Sequence, residues 1–314
     1  MTAIQLPPSE TTRWRAVVRV LRSPLDSLSC TLFPAPCVLC GSPLPQLSSV
    51  PICETCWSEF PLRTPPFCDR CGDAIPDSAA GFSAQCRACR LAPPPFMRAV
   101  SYGVYQGPMR QAIHALKYDR LYGVSTGLGR MLAAAIAQLD GEAPRQMLVI
   151  PVPLHASKYA QRGFNQARAL AAAALKFLRK SHPAWQLTLA SSTLLRQRAT
   201  ESQAGLTPRQ RRINVRGAFT VSDPARVTAQ HLLVVDDILT TGATARAAAR
   251  ALLEAGAASV WVATLARAQR AQGKTEFYEN MEEDSPSAGV VPEAEPHAAR
   301  SSTSGATFEK QPSF

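Results

Sequence analysis

The sequence predicts an α/β protein: a parallel sheet flanked by helices, preceded by a small cysteine-rich domain. Three observations carry this. Between residues 96 and 268, short apolar runs alternate with amphipathic stretches, and strand–helix–strand alternation builds a parallel sheet with helices on both faces. Residues 30–95 hold all nine cysteines, eight of them in C-x-x-C pairs. The stretch Leu232–Thr244, LLVVDDILTTGAT, reads as a buried strand, an acidic pair, a hydroxyl-rich glycine loop and the start of a helix.

A chain of 314 residues is long enough for one or two domains with a proper core. Its 46% apolar and 18% charged content excludes a wholly disordered protein. Residues 1–29 form a separate amphipathic segment, with a helix expected around Arg13–Arg22. Arg15 and Arg19 interrupt its apolar residues, so it lacks the continuous apolar core of a signal peptide. No run is long enough to span a bilayer, and the expected location is cytoplasmic. The formal charge of +11 is uneven, because Gly273–Phe314 carries eight acidic and three basic residues. A basic body suits polyanionic partners such as nucleic acid or a phosphate-rich substrate. A basic surface that only aids solubility has the same composition. Residues 269–314 are rich in Glu, Ser, Ala and Pro with few aliphatics, a composition that cannot offset chain entropy, and a disordered acidic tail is expected.

The pairs in residues 30–95 are Cys37/Cys40, Cys53/Cys56, Cys68/Cys71 and Cys86/Cys89. A two-residue turn puts both sulfurs of a pair on one side, so each pair can supply one edge of a tetrahedral zinc site. The 12- and 14-residue spacers suit short β-hairpins, and the segment reads as a double zinc ribbon. Sequential pairing is simplest, although a cross-braced arrangement uses the same residues. In a cytosolic chain zinc is favoured over disulfides, and no thioredoxin-like context supports redox chemistry. Four thiolates close the metal to water, so the zinc is expected to be structural, folding a segment too poor in apolar residues to fold alone. Cys30 is left over, and a buried free thiol is expected there. The nearby Arg63, Arg70, Arg87, Arg90 and Arg98 allow a docking role for the ribbons.

Within 96–268, Ala99–Tyr105 predicts a strand and Met109–Lys117 a helix. Leu128–Leu139 predicts a second helix, Met147–Val152 a strand ended by prolines, and Phe164–Arg179 a third helix. Leu232–Val235 is a fully apolar strand. Thr244–Ala255 is a helix with Gly256 beyond its end, and Ser259–Leu265 is the next strand. Arg196–Arg212 fits neither period; it is polar, basic and long for a plain connection, as a mobile functional loop would be.

The order of residues in LLVVDDILTTGAT has a chemical reading. Ligands of a parallel α/β sheet sit beyond the C-terminal strand ends. A loop entering a helix N-terminus offers free N–H groups and a favourable dipole to an anion. Threonine hydroxyls add donors, and Gly242 lets the backbone approach phosphate oxygens. Asp236 and Asp237 would repel a phosphate but suit the hydroxyls of a sugar, which donate to carboxylates. Together the two halves describe a ribose 5-phosphate site. A simpler account has Asp237 or Thr241 only capping the next helix, which leaves the other polar residues unused. A Walker B strand is a sharper rival, but it needs a G-x-x-x-x-G-K-[ST] loop. The nearest stretch, Ala268–Thr275, starts with Ala and has no apolar helix behind it.

VVDDILTTGAT resembles the phosphoribosyl pyrophosphate (PRPP) motif of type I phosphoribosyltransferases. The wider pattern is similar to the ComF (competence protein F, GntX-like) family: IPVPL at 150–154, RGFNQ at 162–166, the series Arg196, Arg198, Thr200, Gln203 and Leu206, then Arg212, Asn214 and Gly217-Ala218-Phe219. With the cysteine pairs, the resemblance covers about residues 30–267. It implies a type I phosphoribosyltransferase fold behind a double zinc ribbon, with Asp236 and Asp237 on the ribose hydroxyls. Thr240, Thr241, Gly242, Ala243 and Thr244 would cradle the 5-phosphate. The turn Pro153–Lys158 stands where the family binds pyrophosphate, with Lys158 the candidate ligand; relatives are often richer in arginine there. Arg196–Arg209 would form a mobile hood, with Arg198, Thr200 and Gln203 as its candidate catalytic residues.

The implied chemistry is displacement at the ribose C1 with loss of pyrophosphate, Mg²⁺ and basic side chains stabilising the leaving group. Two functions follow. One is a phosphoribosyltransferase whose acceptor the sequence does not name. The other is a non-catalytic module that senses PRPP or binds single-stranded DNA beside a helicase-like translocase, since the family is linked to uptake of transforming DNA.

Overall fold

The computed structural model describes residues 36–44, 51–60, 62–63, 66–75, 85–118, 123–198 and 217–268. The expected helix at 13–22, Cys30, the tail from 269 and most of the 196–212 loop lie outside the described residues.

Two short helices, α1 (Glu54–Ser58) and α2 (Arg87–Leu91), belong to the cysteine-rich part. The main domain follows as β1 (Ala99–Val104), α3 (Gly107–Tyr118), α4 (Val124–Ala137), β2 (Gln146–Pro151), α5 (Ala156–Arg162), α6 (Gln166–Ser181) and β3 (Gln186–Leu189), then β4 (Leu194–Arg196), β5 (Phe219–Val221), β6 (His231–Leu239), α7 (Ala243–Glu254) and β7 (Ser259–Arg267). Five strands form one sheet in the order β1-β7-β6-β2-β3, with every neighbour parallel.

Strand periodicity sorts the core into two layers. Val149, Leu233, Val235, Ala263 and Leu265 face a layer with Ile113 and Leu116 of α3, Leu128 and Leu132 of α4, and Leu170 and Leu175 of α6. The alternate residues Ile150, Leu232, Val234, Val260 and Val262 face Ala245, Ala248, Ala249 and Leu252 of α7. A central strand covered on both faces has no polar side to display, which is why Leu232–Val235 of β6 is an unbroken apolar run.

Four features differ from the expectations. The helix expected over Phe164–Arg179 is α6, but a further short helix, α5, precedes it where a turn was expected: Gly163, at φ 78°, ends α5, and Asn165 restarts the chain by accepting from the Arg168 N–H at 3.1 Å. A left-handed residue of this kind is a common helix terminator and favours glycine. Strand β6 does not stop at Val235 but carries both aspartates, because its ladder with β7 continues through Asp236↔Thr264 to Leu239↔Arg267. The edge strand β3 and the antiparallel pair β4–β5 had no clear signal in so few residues.

Helices α4 and α6 approach closely at Gly129. A Cβ there would fall 2.3 Å from the Ala173 Cβ and 3.1 Å from the backbone of Ala173 and Ala174. Gly129→Ala gains about 1 kcal/mol of helix propensity, whereas forcing packed helices apart costs about 1–3 kcal/mol. Net destabilisation is expected in urea unfolding, partly rescued by Ala173→Gly; a stabilised Gly129→Ala protein would contradict the packing.

Candidate functional site

The chain leaves β2 toward β3 on one side and leaves β6 toward β7 on the other. A crevice therefore opens at the C-terminal ends of β2 and β6, the switch point where parallel sheets bind ligands. The Val152 N–H donates to the Val235 carbonyl at 2.8 Å and holds its floor together.

Asp236 and Asp237 stand at this point on β6. Asp237 is 5% exposed, and its Oδ2 lies 2.8 Å from Nζ of Lys117, on the last turn of α3. The backbone N–H groups of Asp237 and Ile238 donate to the Asp236 and Asp237 carboxylates, each at 2.9 Å. The two acids titrate apart. Burial pushes the Asp236 carboxyl well above the usual range, and the neighbouring Asp237 charge adds to it. Burial works against Asp237 too, but the charge and hydrogen bond of Lys117, the Asp236 hydrogen bond and Arg162 together hold its carboxyl below the usual value. Burial also opposes the charge of Lys117, yet Asp237 keeps the ammonium above its ordinary value.

Further cations converge here. Lys158 on α5 is half-buried, and burial, then the charges of Arg196, Arg162 and Lys117, lower its ammonium. Arg196, at the end of β4, is lowered by burial and opposed by the charge of Asp236. Arg162 is oriented by two donations at 3.2 Å each, to Oε1 of Gln166 and to the Tyr118 hydroxyl, with its guanidinium 5.0 Å from the Tyr118 ring centre. Its buried Nε has no hydrogen-bond partner among the described residues. Four cations facing two acids leave an excess of positive charge, and an anion entering the crevice would relieve their repulsion.

The loop Thr240–Thr244 lies between β6 and α7. Gly242 is the N-cap at φ 77° and supplies no side-chain cap. The left-handed backbone, not crowding, requires glycine, since an added Cβ would meet only Leu239 at 3.9 Å. Thr241 Oγ1 accepts from the Ala243 N–H at a long 3.4 Å, while Asp237 is occupied by Lys117 and Ile238. Helix capping therefore does not account for the acidic pair. Thr240, Thr241 and Gly242 remain partly exposed at the helix N-terminus, where N–H groups and the helix dipole favour anions.

The structure thus brings Asp236, Asp237, Lys158 and the 240–244 loop to one end of the sheet. Arg198 is exposed just beyond β4; Thr200 and Gln203 lie outside the described residues. No local pattern in the sequence marks Lys117, an ordinary-looking lysine closing an amphipathic helix. Arg162 stands in the sequence only as the first residue of RGFNQ.

The cysteines fall into two clusters, Cys37/Cys40/Cys53/Cys56 and Cys68/Cys71/Cys86/Cys89, each with all sulfurs within 4.8 Å of one another. Pairing is sequential. Tetrahedral zinc with Zn–S of about 2.3 Å implies sulfur–sulfur edges near 3.8 Å; Cys37–Cys56, Cys40–Cys53 and Cys71–Cys86 measure 3.9, 3.7 and 3.7 Å. These distances fit structural zinc and are far too long for disulfides. The first pair of each ribbon turns through a C-x-x-C-G knuckle closed by a bridge, Pro36↔Pro43 or Phe67↔Ala74. The second pair sits at the start of α1 or α2 rather than in a hairpin.

Fold and site together define a phosphoribosyltransferase-type α/β domain joined to a double zinc ribbon. A phosphoribosyl transferase domain model matches residues 160–296, and a double zinc ribbon domain model matches residues 28–90. The chain is similar to DNA utilization protein YhgH of Salmonella typhimurium, at 35% identity over 236 residues, covering 74% of this chain and 97% of that protein. The Escherichia coli K12 protein of the same name is 33% identical over the same shares. Competence protein F of Haemophilus influenzae is 25% identical over 237 residues, 74% of this chain and 96% of that protein. The chain belongs to the ComF family. Among the described residues, no helix is long and apolar enough to cross a membrane.

Metal analysis is expected to give about two zinc per chain, with Cys40→Ser or Cys89→Ser each losing one; retention of both metals would contradict the clusters. The carboxylates make opposite pH predictions. The raised Asp236 contributes stability below its unfolded value of about 3.9 and loses it as pH rises through its folded value. The lowered Asp237 contributes above its unfolded value and loses that as pH falls through its folded one. Asp236→Asn should therefore gain stability over wild type as pH rises from acid to neutral. Asp237→Asn should be destabilised at neutral pH, the deficit closing in acid. Denaturant midpoints across pH check both, and parallel profiles for the two variants would contradict the assignment.

Proposed function

We propose that the crevice binds PRPP and presents its C1 for displacement, with pyrophosphate leaving. The observation that carries this is the placement of Lys117, Lys158, Arg162 and Arg196 beside two carboxylates and an uncapped helix N-terminus. An acid pair alone would suit a cation or a sugar; a cation cluster alone would suit any polyanion. Side by side they suit a sugar flanked by phosphates.

In this reading Asp236 and Asp237 accept hydrogen bonds from the ribose 2- and 3-hydroxyls, and Thr240–Thr244 hold the 5-phosphate. Lys158 and Arg162 take the pyrophosphate, with Arg196 beside them. Lys117 keeps Asp237 ionised, hence an acceptor. Arg198, Thr200 and Gln203 would act on the substrate as catalytic residues, Thr200 and Gln203 lying outside the described residues; excluding water would protect the activated sugar. An acceptor's lone pair forms the new bond at C1, while the C1–O bond breaks and its electrons leave on pyrophosphate. Magnesium entering with PRPP would neutralise part of the leaving group's charge.

The relatives' names, DNA utilization protein and competence protein F, favour a setting in DNA handling. They also motivate a second reading, in which the module binds PRPP or single-stranded DNA without turnover, beside a helicase-like translocase.

Calorimetry with PRPP and Mg²⁺ tests the site. One charge-assisted hydrogen bond at Asp237, about 1.5–3 kcal/mol, and one neutral hydrogen bond at Asp236, about 0.5–1.5 kcal/mol, predict at least about 30-fold weaker binding for the Asp236→Asn/Asp237→Asn double variant; equal heats for both proteins would contradict the proposal. Pyrophosphate release with candidate bases is the expected sign of transfer. Tight, salt-dependent binding of single-stranded DNA with no release favours the second reading.

A further inference from the structure

Arg267, the last residue of β7, is only 2% exposed, so its charge needs compensation from nearby. Part comes from Asp73, which is 5% exposed and whose Oδ2 lies 3.3 Å from Nη2 of Arg267. Asp73 belongs to the second zinc ribbon, two residues beyond Cys71 in the knuckle Cys68-Asp69-Arg70-Cys71-Gly72. The other end of the guanidinium turns to the phosphate loop: Nη1 donates to the Leu239 carbonyl at 2.7 Å and to the Thr240 carbonyl. The Leu239 carbonyl also accepts from the Ala268 N–H at 3.0 Å.

These contacts constrain more than two carbonyls. In a planar trans peptide, the C=O of one residue and the N–H of the next point in opposite directions. Holding the carbonyls of Leu239 and Thr240 toward Arg267 therefore turns the N–H groups of Thr240 and Thr241 to the opposite side of the loop. An anion-binding loop needs its carbonyls turned away from the ligand and its N–H groups free.

The knuckle carrying Asp73 is itself fixed against the domain. The Ala99 N–H, at the start of β1, donates to the Arg70 carbonyl at 2.9 Å. Gly72 sits at φ 63°, and a Cβ there would come 2.9 Å from the Ala99 carbonyl. Arg63 donates to the Gly72 carbonyl and stacks 3.8 Å over the Phe67 ring. The zinc-organised turn is thus a rigid base for Asp73.

We propose that Arg267 is a positioning residue that makes the conformation of the phosphate loop depend on the second zinc ribbon, through the ion pair with Asp73. The link to PRPP affinity rests on the function proposed above; the link to loop conformation does not.

Hydrogen exchange of the full-length, zinc-loaded protein separates the two. In Asp73→Asn, amides of residues 239–244 are expected to exchange about tenfold faster, while strands β2 and β6 up to Val235 keep wild-type protection and the zinc content stays unchanged. Cys89→Ser, with one zinc lost, should loosen the same amides. Arg267→Lys, which keeps the charge but not the fork, should give an intermediate rate. PRPP affinity measured with Mg²⁺ should fall about tenfold in Asp73→Asn. Unchanged exchange at 239–244, or acceleration spread equally over β2 and β6, would overturn the proposal. Failure of the wild type to bind PRPP would overturn the function reading and leave the exchange result standing.

Discussion

Two adjacent carboxylates at the end of a central strand are the constraint on which the site depends. Both cannot ionise in so enclosed a place without a nearby cation. The ion pair of Lys117 with Asp237 supplies one, and the consequence is asymmetry: Asp237 is held ionised while Asp236 is pushed toward its neutral form. A pair divided in this way is poised to respond to whatever enters the crevice. The arrangement also explains why the last turn of α3 must reach the switch point of the sheet, although α3 follows β1 at the far edge.

Around that pair, the fold brings together groups that are distant in sequence. Lys158 and Arg162 arrive on a short helix after β2, Arg196 on the small β4–β5 hairpin, and the glycine loop on the turn from β6 into α7. Each is placed by a structural device: Gly163 ends α5 so that Arg162 lies beside Tyr118, and Gly242 turns the chain into α7 without capping it. The zinc ribbons belong to the same structure. Trp57 packs where a Cβ on Gly127 of α4 would stand, 2.3 Å from its ring, and Asp73 meets Arg267 beside the 240–244 loop. A cysteine-rich domain read in isolation is a metal-stabilised fold; in contact with β7 it is also a wall of the site's support.

Sequence and structure agree where a local pattern carries the information. The apolar run Leu232–Val235, the acids after it and the Thr-Thr-Gly loop are contiguous, so strand, charge and helix start could be read together. The eight cysteines announced two metal clusters because a C-x-x-C turn is a local geometry, but their sequential pairing is a tertiary fact and needed the structure. Lys117 stayed hidden for the same reason. Nothing in GPMRQAIHALKY separates a lysine that closes an amphipathic helix from one that neutralises an aspartate about 120 residues later in the chain. The pair β4–β5, three residues a side, is made by partners on either side of a long connection and has no period to detect. Arg267 lies beyond the strand expected over Ser259–Leu265, and no local pattern marks its burial against Asp73.

The division of the crevice into a sugar side and a pyrophosphate side is the central claim, and calorimetry with the two halves of the ligand tests it most directly. Ribose 5-phosphate and inorganic pyrophosphate should each bind the wild-type protein. Asp236→Asn should weaken only the ribose 5-phosphate, and Lys158→Ala only the pyrophosphate. Equal weakening of both ligands by either substitution, or no binding of pyrophosphate at all, would contradict the account.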